Sequence, residues 1–295
     1  MENIPNISCV SKAIREMARE AAQNLSTSDS ASKIAQRSIV RPIDYMRCAE
    51  FDAILRGLNI TPGTRILDIS SPQWFTIYLA NAFPATQFDY CNIIDIELEP
   101  YKTLCSQLGI NNLRYHKEDV RNLNFDSNSF DKVVSISVIE HVHPEQGGDY
   151  SALQEIKRVL KPEGELLLTI PYKENRNIVH FNGAVYERGA EERNFYAREY
   201  DNAMFDKLIN DSGYTVRDAW FICEIKGVFS IDYWAWGPGK RYPLARHATL
   251  KTRRVVERLF GYSVDEVLAR RYLRVSSQDT SNRLVNIAAV LTTDN

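Results

Sequence analysis

The chain has few cysteines, no long apolar run and almost no excess of charge of either sign. Its five cysteines are scattered and include no C-x-x-C pair, which argues against a disulfide framework or a zinc site and favours reduced thiols. No apolar stretch approaches the roughly 20 residues that span a bilayer. Charged Arg15, Glu16, Arg19 and Glu20 interrupt any signal-peptide core. We therefore expect a cytoplasmic protein without a membrane span.

What is present suits a globular protein. The 295 residues are 44% hydrophobic and 25% charged, which is enough for a sizeable core. This length fits one large α/β domain or a core with an appended cap. A net charge of −2 gives no global attraction to nucleic acid or to a membrane surface.

Between Arg65 and Tyr172, short apolar runs alternate with segments of helical periodicity. The predicted strands are 65–69, one within 86–94, 113–117, 132–138 and 165–171. The predicted helices lie near 74–82, 98–108 and 149–160. This alternation predicts a parallel sheet, and ligands of such sheets bind beyond the carboxyl ends of the strands. Acidic residues follow several of these strands, so the sequence predicts a site there.

The flanking regions are less regular. Helices are predicted at 8–25 and 44–57, with a polar loop at 26–32 between them. Residues 173–196 show no clear periodicity, and a helix at 201–212 follows. The last two core strands are predicted at 215–223 and 283–292.

About 60 residues separate those two strands. They begin with an aromatic group, Phe229, Tyr233, Trp234 and Trp236. Helices are predicted near 246–260 and 263–274, with Ser263 and Glu266 as a capping box. Lys240 to Arg274 contains ten Lys and Arg but three acidic residues. A solvated helical face and a surface for an anionic partner both explain this surplus.

Three segments carry a family resemblance: Arg65-Ile-Leu-Asp-Ile69, Ser135-Ile-Ser-Val-Ile-Glu-His-Val142 and Leu160-Lys-Pro-Glu-Gly164. Their order resembles class I S-adenosylmethionine (SAM)-dependent methyltransferases, particularly the small-molecule, type 11-like group. The resemblance implies an α/β fold with a doubly wound, mostly parallel seven-stranded sheet. It also implies an N-terminal helical lid at 1–60, a SAM-binding core at 61–223 and 284–295, and an inserted cap at 224–283.

The resemblance assigns cofactor contacts to the strand ends. Asp68 would help to hold the methionyl end, or would only cap the following turn. Asp119 would meet the adenine amino group, the main chain of Val120 the ring nitrogen, and the backbone of Ser137 the cofactor. For the ribose, Asp95 matches the family position best, while Asp89 and Asn92 stay open.

The loop after the first strand departs from the family. Ser70-Ser-Pro-Gln-Trp74 stands where the family has a glycine-rich loop, whose backbone approaches the cofactor closely. Either the hydroxyls of Ser70 and Ser71 replace main-chain contacts, or the SAM site is lost. Because acids follow each of the first three strands, we favour retained SAM binding.

Several further residues are candidates for chemistry. His141 is a candidate general base, since an unperturbed imidazole has a pKa near 6.5, or else it packs near the cofactor. With His143 and Glu145 it could form a metal site, but metal-dependent relatives draw ligands from several strands, so we expect no metal. Arg198, Tyr200 and Trp234 are candidate substrate residues. Their alternative role is to hold a helix start or to pack the cap.

The predicted function is methyl transfer from SAM to an oxygen or nitrogen of a small molecule, in a biosynthetic pathway. The basic surplus suggests an anionic or carrier-linked acceptor. The rest of the chain is mildly acidic, which argues against nucleic acid as a partner. The sequence leaves open whether the protein forms a homodimer. Two alternatives are a protein that binds SAM without methylating and an inactive scaffold.

Overall fold

The computed structural model describes residues 7–185, 188–225, 255, 257, 263–278 and 282–293. Three helices precede the first strand: α1 (Ile7–Ala22), α2 (Ser30–Val40) and α3 (Tyr45–Gly57). The later helices are α4 (Gln73–Ala82), α5 (Glu99–Gln107), α6 (Gly148–Val159), α7 (Asn202–Asp211) and α8 (Val264–Tyr272).

The strands form one large sheet and one hairpin. They are β1 (Arg65–Ile69), β2 (Gln87–Asn92), β3 (Leu113–Lys117), β4 (Phe130–Ile136), β5 (Leu160–Pro171), β6 (Asn177–Val185), β7 (Arg188–Glu199), β8 (Tyr214–Glu224), β9 (Leu273–Ser276) and β10 (Arg283–Thr293). The large sheet has the order β3-β2-β1-β4-β5-β10-β8-β9. Strands β1 to β5 pair in parallel, whereas β10 runs antiparallel to both of its neighbours.

Helices cover both faces of this sheet. Successive residues of β1 point to opposite faces: Ile66 packs in a cluster with α1, α3, α4 and α5, and Leu67 packs in a second cluster with α6 and α7. Both side chains are at most 1% exposed, and burial of each stabilises the fold by about 1.5–3 kcal/mol. The predicted doubly wound, mostly parallel α/β fold is confirmed. The described sheet has eight strands where seven were predicted, because β9 adds to its edge beside β8.

Two segments differ from the sequence prediction. Residues 30–32 begin α2, where a loop was expected through residue 32. The buried residues of α2 are small, namely Ala31, Ser32, Ala35 and Ser38, so the helix shows no conspicuous apolar stripe. Residues 177–199, for which no periodicity was found, form the β6–β7 hairpin.

The predicted cap is described only in part. Its aromatic group and its basic residues from Lys240 to Arg258 lie outside the described residues, as does the predicted helix 246–260 apart from residues 255 and 257. The helix predicted at 263–274 is α8, but residues 273 and 274 belong to β9. The predicted capping box is wrong, because Ser263 makes no side-chain cap bond and the carboxylate of Glu266 accepts from Ser11 at 2.7 Å. In the described part of the chain, no helix is both long and apolar enough to span a membrane.

Candidate functional site

Two neighbouring cavities lie beyond the carboxyl ends of β1, β2 and β4, and β3 adds to the wall of the first. The first has a volume of about 240 Å³ and the second about 520 Å³. They share the residues Ser70, Asn92, Glu97 and Ser137. The predicted site residues in the wall of the first cavity are Ser70, Asp119, Val120, Ser137 and His141. The structure therefore brings together residues that the sequence assigned to three separate strand ends.

Asp68 holds the turn after β1 and does not line either cavity. Its carboxylate accepts hydrogen bonds from the backbone N–H of Ser71 at 2.9 Å and from the Thr76 hydroxyl at 2.7 Å. The side chain is buried, and burial raises its pKa to about 6 against the lowering effect of these bonds. The capping role is the one that this geometry displays.

The serine loop adopts glycine-like backbone conformations. Ser70 has a φ of 52° and Ser137, at the end of β4, has a φ of 51°. L-residues rarely occupy this region, so both positions are strained, and both lie in the walls of the two cavities. Pro72 lines the second cavity, and Trp74 is buried in the core beneath α3. Neither side chain lines the first cavity.

After β2, the structure separates the candidates for a ribose-binding group. Asp95 is exposed at the start of a short 3-10 helix and lies outside the walls of both cavities. Asp89 is buried and bound by His116 at 2.7 Å and Arg65 at 2.9 Å, and these bonds outweigh burial so that its pKa is lowered. Asn92 and Glu97 line both cavities. Sequence reasoning missed Glu97, although it ends the same acidic segment as Asp95.

After β3, Asp119 and Val120 lie in the wall of the first cavity. The Asp119 carboxylate accepts from Nε of Arg121 at 2.9 Å and from its second guanidinium nitrogen, and these bonds lower the Asp119 pKa. Arg121 also donates to the backbone carbonyl of His143 at 2.7 Å. This arginine joins the β3 loop to the segment after β4 across the cavity.

His141 follows β4 on a short 3-10 helix. Its Nδ1 lies 2.7 Å from the carbonyl oxygen of Tyr196 in β7, and its ring packs edge-on against the Tyr196 ring at 4.7 Å. Because a carbonyl only accepts, Nδ1 must carry the proton and Nε2 the lone pair of the neutral ring. This tautomer suits a general base. In the described part of the chain, no group of three His, Cys, Asp or Glu side chains converges as a metal site requires.

Glu140 lies beside His141 and is 1% exposed. Its Oε1 is 3.6 Å from Nε2 of His141. Burial raises the pKa of Glu140 to about 8, the nearby Glu50 carboxylate adds to this rise, and Arg47 opposes it.

The remaining substrate candidates have structural positions. Arg198 is 1% exposed, and its guanidinium donates to four backbone carbonyls between residues 140 and 145. Tyr200 is fully buried and donates its hydroxyl to Asp149 at 2.9 Å. Both residues fix the segment that carries His141 and lie outside the cavity walls. Trp234 lies outside the described residues.

Sequence reasoning also missed a buried carboxylate on α3. Oε1 of Glu50 accepts from Ser137 at 2.5 Å, Thr169 at 2.9 Å and Asn286 at 2.8 Å, and Oε2 accepts from Arg47 at 2.5 Å. These donors come from the ends of β4, β5 and β10 and from α3 itself. Glu50 thereby fixes α3 over the site, and Arg47 lies in the wall of the second cavity. The available signal was that Glu50 lies one helical turn before the apolar Ile54, in the helix predicted at 44–57.

A family model described as a methyltransferase domain matches residues 70–168, from the serine loop to β5. This range contains every predicted residue that lines the first cavity. No curated protein matches the chain significantly in sequence.

Solved structures resemble the chain over most of its length. The [4+2]-cyclase SpnF is 15% identical and matches over 96% of this chain and 92% of its own, with a TM-score of 0.53. A SAM-dependent methyltransferase from Methanosarcina mazei is 15% identical. The match covers 81% of this chain and 96% of that protein, with a TM-score of 0.50. A third structure is the O-methyltransferase of a trans-AT PKS multienzyme of Brevibacillus brevis, in complex with S-adenosyl-L-homocysteine. It is 15% identical, and the match covers 87% of this chain and 78% of that protein, with a TM-score of 0.53. At these identities, the likeness establishes the fold.

Proposed function

We propose that the chain is a class I SAM-dependent methyltransferase that transfers a methyl group from SAM to a small molecule, since a methyltransferase-domain model matches residues 70–168. The acceptor atom is an oxygen or a nitrogen. One observation carries the proposal. The matched domain encloses a cavity at the carboxyl ends of the parallel strands, where open α/β sheets bind their ligands.

The residues around the two cavities fit the parts of SAM. Asp119 and Val120 provide a carboxylate and a main chain for the adenine at the end of β3. Glu97 and Asn92 offer polar groups for the ribose hydroxyls at the point where the cavities meet. The guanidinium of Arg47, in the wall of the second cavity, suits the methionyl carboxylate.

Ser70 and Ser137 explain how a site without the glycine loop can still fit. Each takes a positive φ at a shared wall of the cavities, so the backbone follows a path that glycine would follow. The departure in sequence is therefore compatible with close backbone approach. The strain at both positions is of the kind that concentrates at functional sites.

SAM supplies a methyl group on a positively charged sulfur, which is already a strong electrophile. The task of the chain is then to align the acceptor, exclude water and remove a proton. His141 is the proposed base, because its Nδ1 is held by the Tyr196 carbonyl and its ring lines the first cavity. Removal of a proton from a hydroxyl or an ammonium group frees the lone pair that attacks the methyl group, and that proton would pass to Nε2.

The surrounding elements would select the acceptor. We assign residues 1–60 to a lid, since Ile34 of α2 and Arg47 of α3 line the second cavity. We assign residues 224–283 to a cap that recognises the acceptor, with its basic surplus favouring an anionic or carrier-linked molecule. A biosynthetic role in the cytoplasm completes the proposal.

Calorimetry and a transfer assay test this function. The purified full chain should bind SAM and S-adenosylhomocysteine, and it should transfer a labelled methyl group to a component of a small-molecule extract. The boiled protein and the His141→Gln variant serve as controls. Absence of binding at millimolar cofactor would refute the proposal and favour a scaffold.

A second candidate is SAM binding without methylation. The [4+2]-cyclase, which matches 96% of the chain, shows that this fold also occurs in an enzyme described by a different reaction. Tight binding of SAM with no labelled product from any acceptor pool would favour this candidate.

A further inference from the structure

An oxygen of the Glu140 carboxylate and a nitrogen of the His141 ring, both hydrogen-bond acceptors when they carry no proton, lie close together. Nδ1 of His141 must donate to the carbonyl of Tyr196, so Nε2 of the neutral ring presents a lone pair. The nearest carboxylate atom is Oε1 of Glu140, at 3.6 Å. One carboxylate lone pair that is buried and one imidazole lone pair that is partly buried repel each other at this distance, and a single proton on either atom turns the repulsion into attraction.

The surroundings of Glu140 favour a proton on its carboxylate. The side chain is 1% exposed, and no hydrogen-bond partner for its Oε2 is found within the described residues. Burial disfavours the charged carboxylate and raises its pKa, against the effect of its hydrogen bonds with Ser137 and with the backbone of Glu140 itself. The neighbouring Glu50 has four donors for its two oxygens.

The charged and titratable groups near Glu140 are few. Arg47 and Glu50 approach from α3, and Arg47 is already bound to Glu50 at 2.5 Å. Arg198 from β7 donates to the backbone carbonyl of Glu140, and Tyr200 interacts with its carboxylate electrostatically. The Arg198 bond goes to the backbone and not to the carboxylate. His141 is the group best placed to exchange a proton with Glu140.

We propose that Glu140 and His141 form one acid–base pair that holds a single shared proton near neutral pH. Glu140 is the positioning residue, and His141 is the member that lines the cavity. The catalytic consequence rests on the proposed methyl transfer. The pair acts as a base in the form that has lost this shared proton. A proton that Nε2 then removes from the acceptor passes to the carboxylate Oε1 of Glu140, which restores the single-proton pair and leaves the imidazole neutral. One proton moves, and the charges balance against the loss of the sulfonium.

Nuclear magnetic resonance of the imidazole carbons tests the pair in the free protein, without cofactor or acceptor. His141→Gln identifies the signals of His141. The His141 signals of the unmodified chain should show two inflections separated by more than about one pH unit, as coupled sites do. In Glu140→Gln, which keeps the shape and removes the acid, a single inflection should remain.

Glu145→Gln is the matched control. Glu145 lies 2.8 Å from Nε2 of a different histidine, His180, so this variant should leave both inflections of His141 in place. Glu140→Asp should restore a two-step titration with a smaller second step. A single His141 inflection in the unmodified chain, identical to that of Glu140→Gln, would overturn the pair even if methyl transfer were established. Two inflections without any methyl transfer would sustain the pair and refute only its catalytic consequence.

Discussion

At the scale of single residues, Glu97 and Asp95 lie two positions apart and have different environments. Glu97 lines both cavities, whereas Asp95 is exposed outside them. We expect Glu97→Gln to weaken SAM binding at least about tenfold, the scale of one charge-assisted hydrogen bond. Asp95→Asn is the control with the same change of charge and should leave the calorimetric affinity unchanged. If Asp95→Asn weakened SAM binding and Glu97→Gln did not, the contact with the ribose would be assigned to Asp95.

His141 gives a second prediction at this scale. His141→Gln should lower the turnover number by about 10²- to 10⁴-fold, the range of a lost general base, with little change in SAM affinity. His143→Gln is the control, since His143 lines the same cavity but is exposed. Turnover is measured with saturating SAM in single-turnover assays. Full activity of His141→Gln would leave alignment of the reactants as the main catalytic device.

At the scale of elements, α3 depends on one carboxylate for its position over the site. Glu50 is fully buried and accepts hydrogen bonds from β4, β5 and β10 as well as from Arg47. Through Glu50, helix α3 is bonded directly to Ser137, whose strained backbone lines both cavities. Helix α3 and the sheet therefore form one unit at this point.

Glu50→Ala should lower the free energy of unfolding by about 3–5 kcal/mol, because Arg47 loses its buried partner and three donors lose their acceptor. Glu20→Ala, at an exposed position of α1, should change it by less than about 0.5 kcal/mol. Denaturant titration of both variants measures the difference. Equal stability of the two variants would show that α3 is held by its apolar contacts alone.

Predictability also differs among the elements. Strands β1, β4 and β5 follow from short apolar runs, since most of their residues are buried on the two faces of the sheet. Helix α2 was not predicted, because its buried face consists of Ala and Ser, which carry no strong periodic signal. The β6–β7 hairpin was missed because it is half-exposed and its pairing is irregular, with register shifts after Val179 and Phe181.

At the scale of the whole molecule, Glu140 makes stability depend on pH. Burial raises its pKa from 4.5 to about 8, so the folded chain keeps a proton that the unfolded chain has lost. The resulting stabilisation is complete below about pH 4.5 and disappears as the pH rises through about 8.

Glu140→Gln, which cannot lose a proton, should therefore gain stability relative to the unmodified chain between about pH 5 and pH 9. The gain should reach the order of 1–3 kcal/mol at the upper end. Glu145→Gln should follow the unmodified chain over this range. Parallel stability curves for Glu140→Gln and the unmodified chain would contradict a raised pKa at this site.

The sequence by itself determined the alternation of strands and helices and the region of the site. These properties depend on local patterns, such as apolar runs that end on acids and turns that contain Pro and Gly. It also located Asp119, Val120, Ser137 and His141, because each directly follows a strand whose end could be predicted.

Only the tertiary structure decided which acids line the cavities and which are bound elsewhere. Asp68, Asp89 and Glu97 are all carboxylates near strand ends, and the sequence does not distinguish them. The fold encloses Asp68 in a turn, gives Asp89 two basic partners and leaves Glu97 at the cavity wall. The role of a carboxylate depends on the donors around it, and those donors come from residues that are distant in the chain.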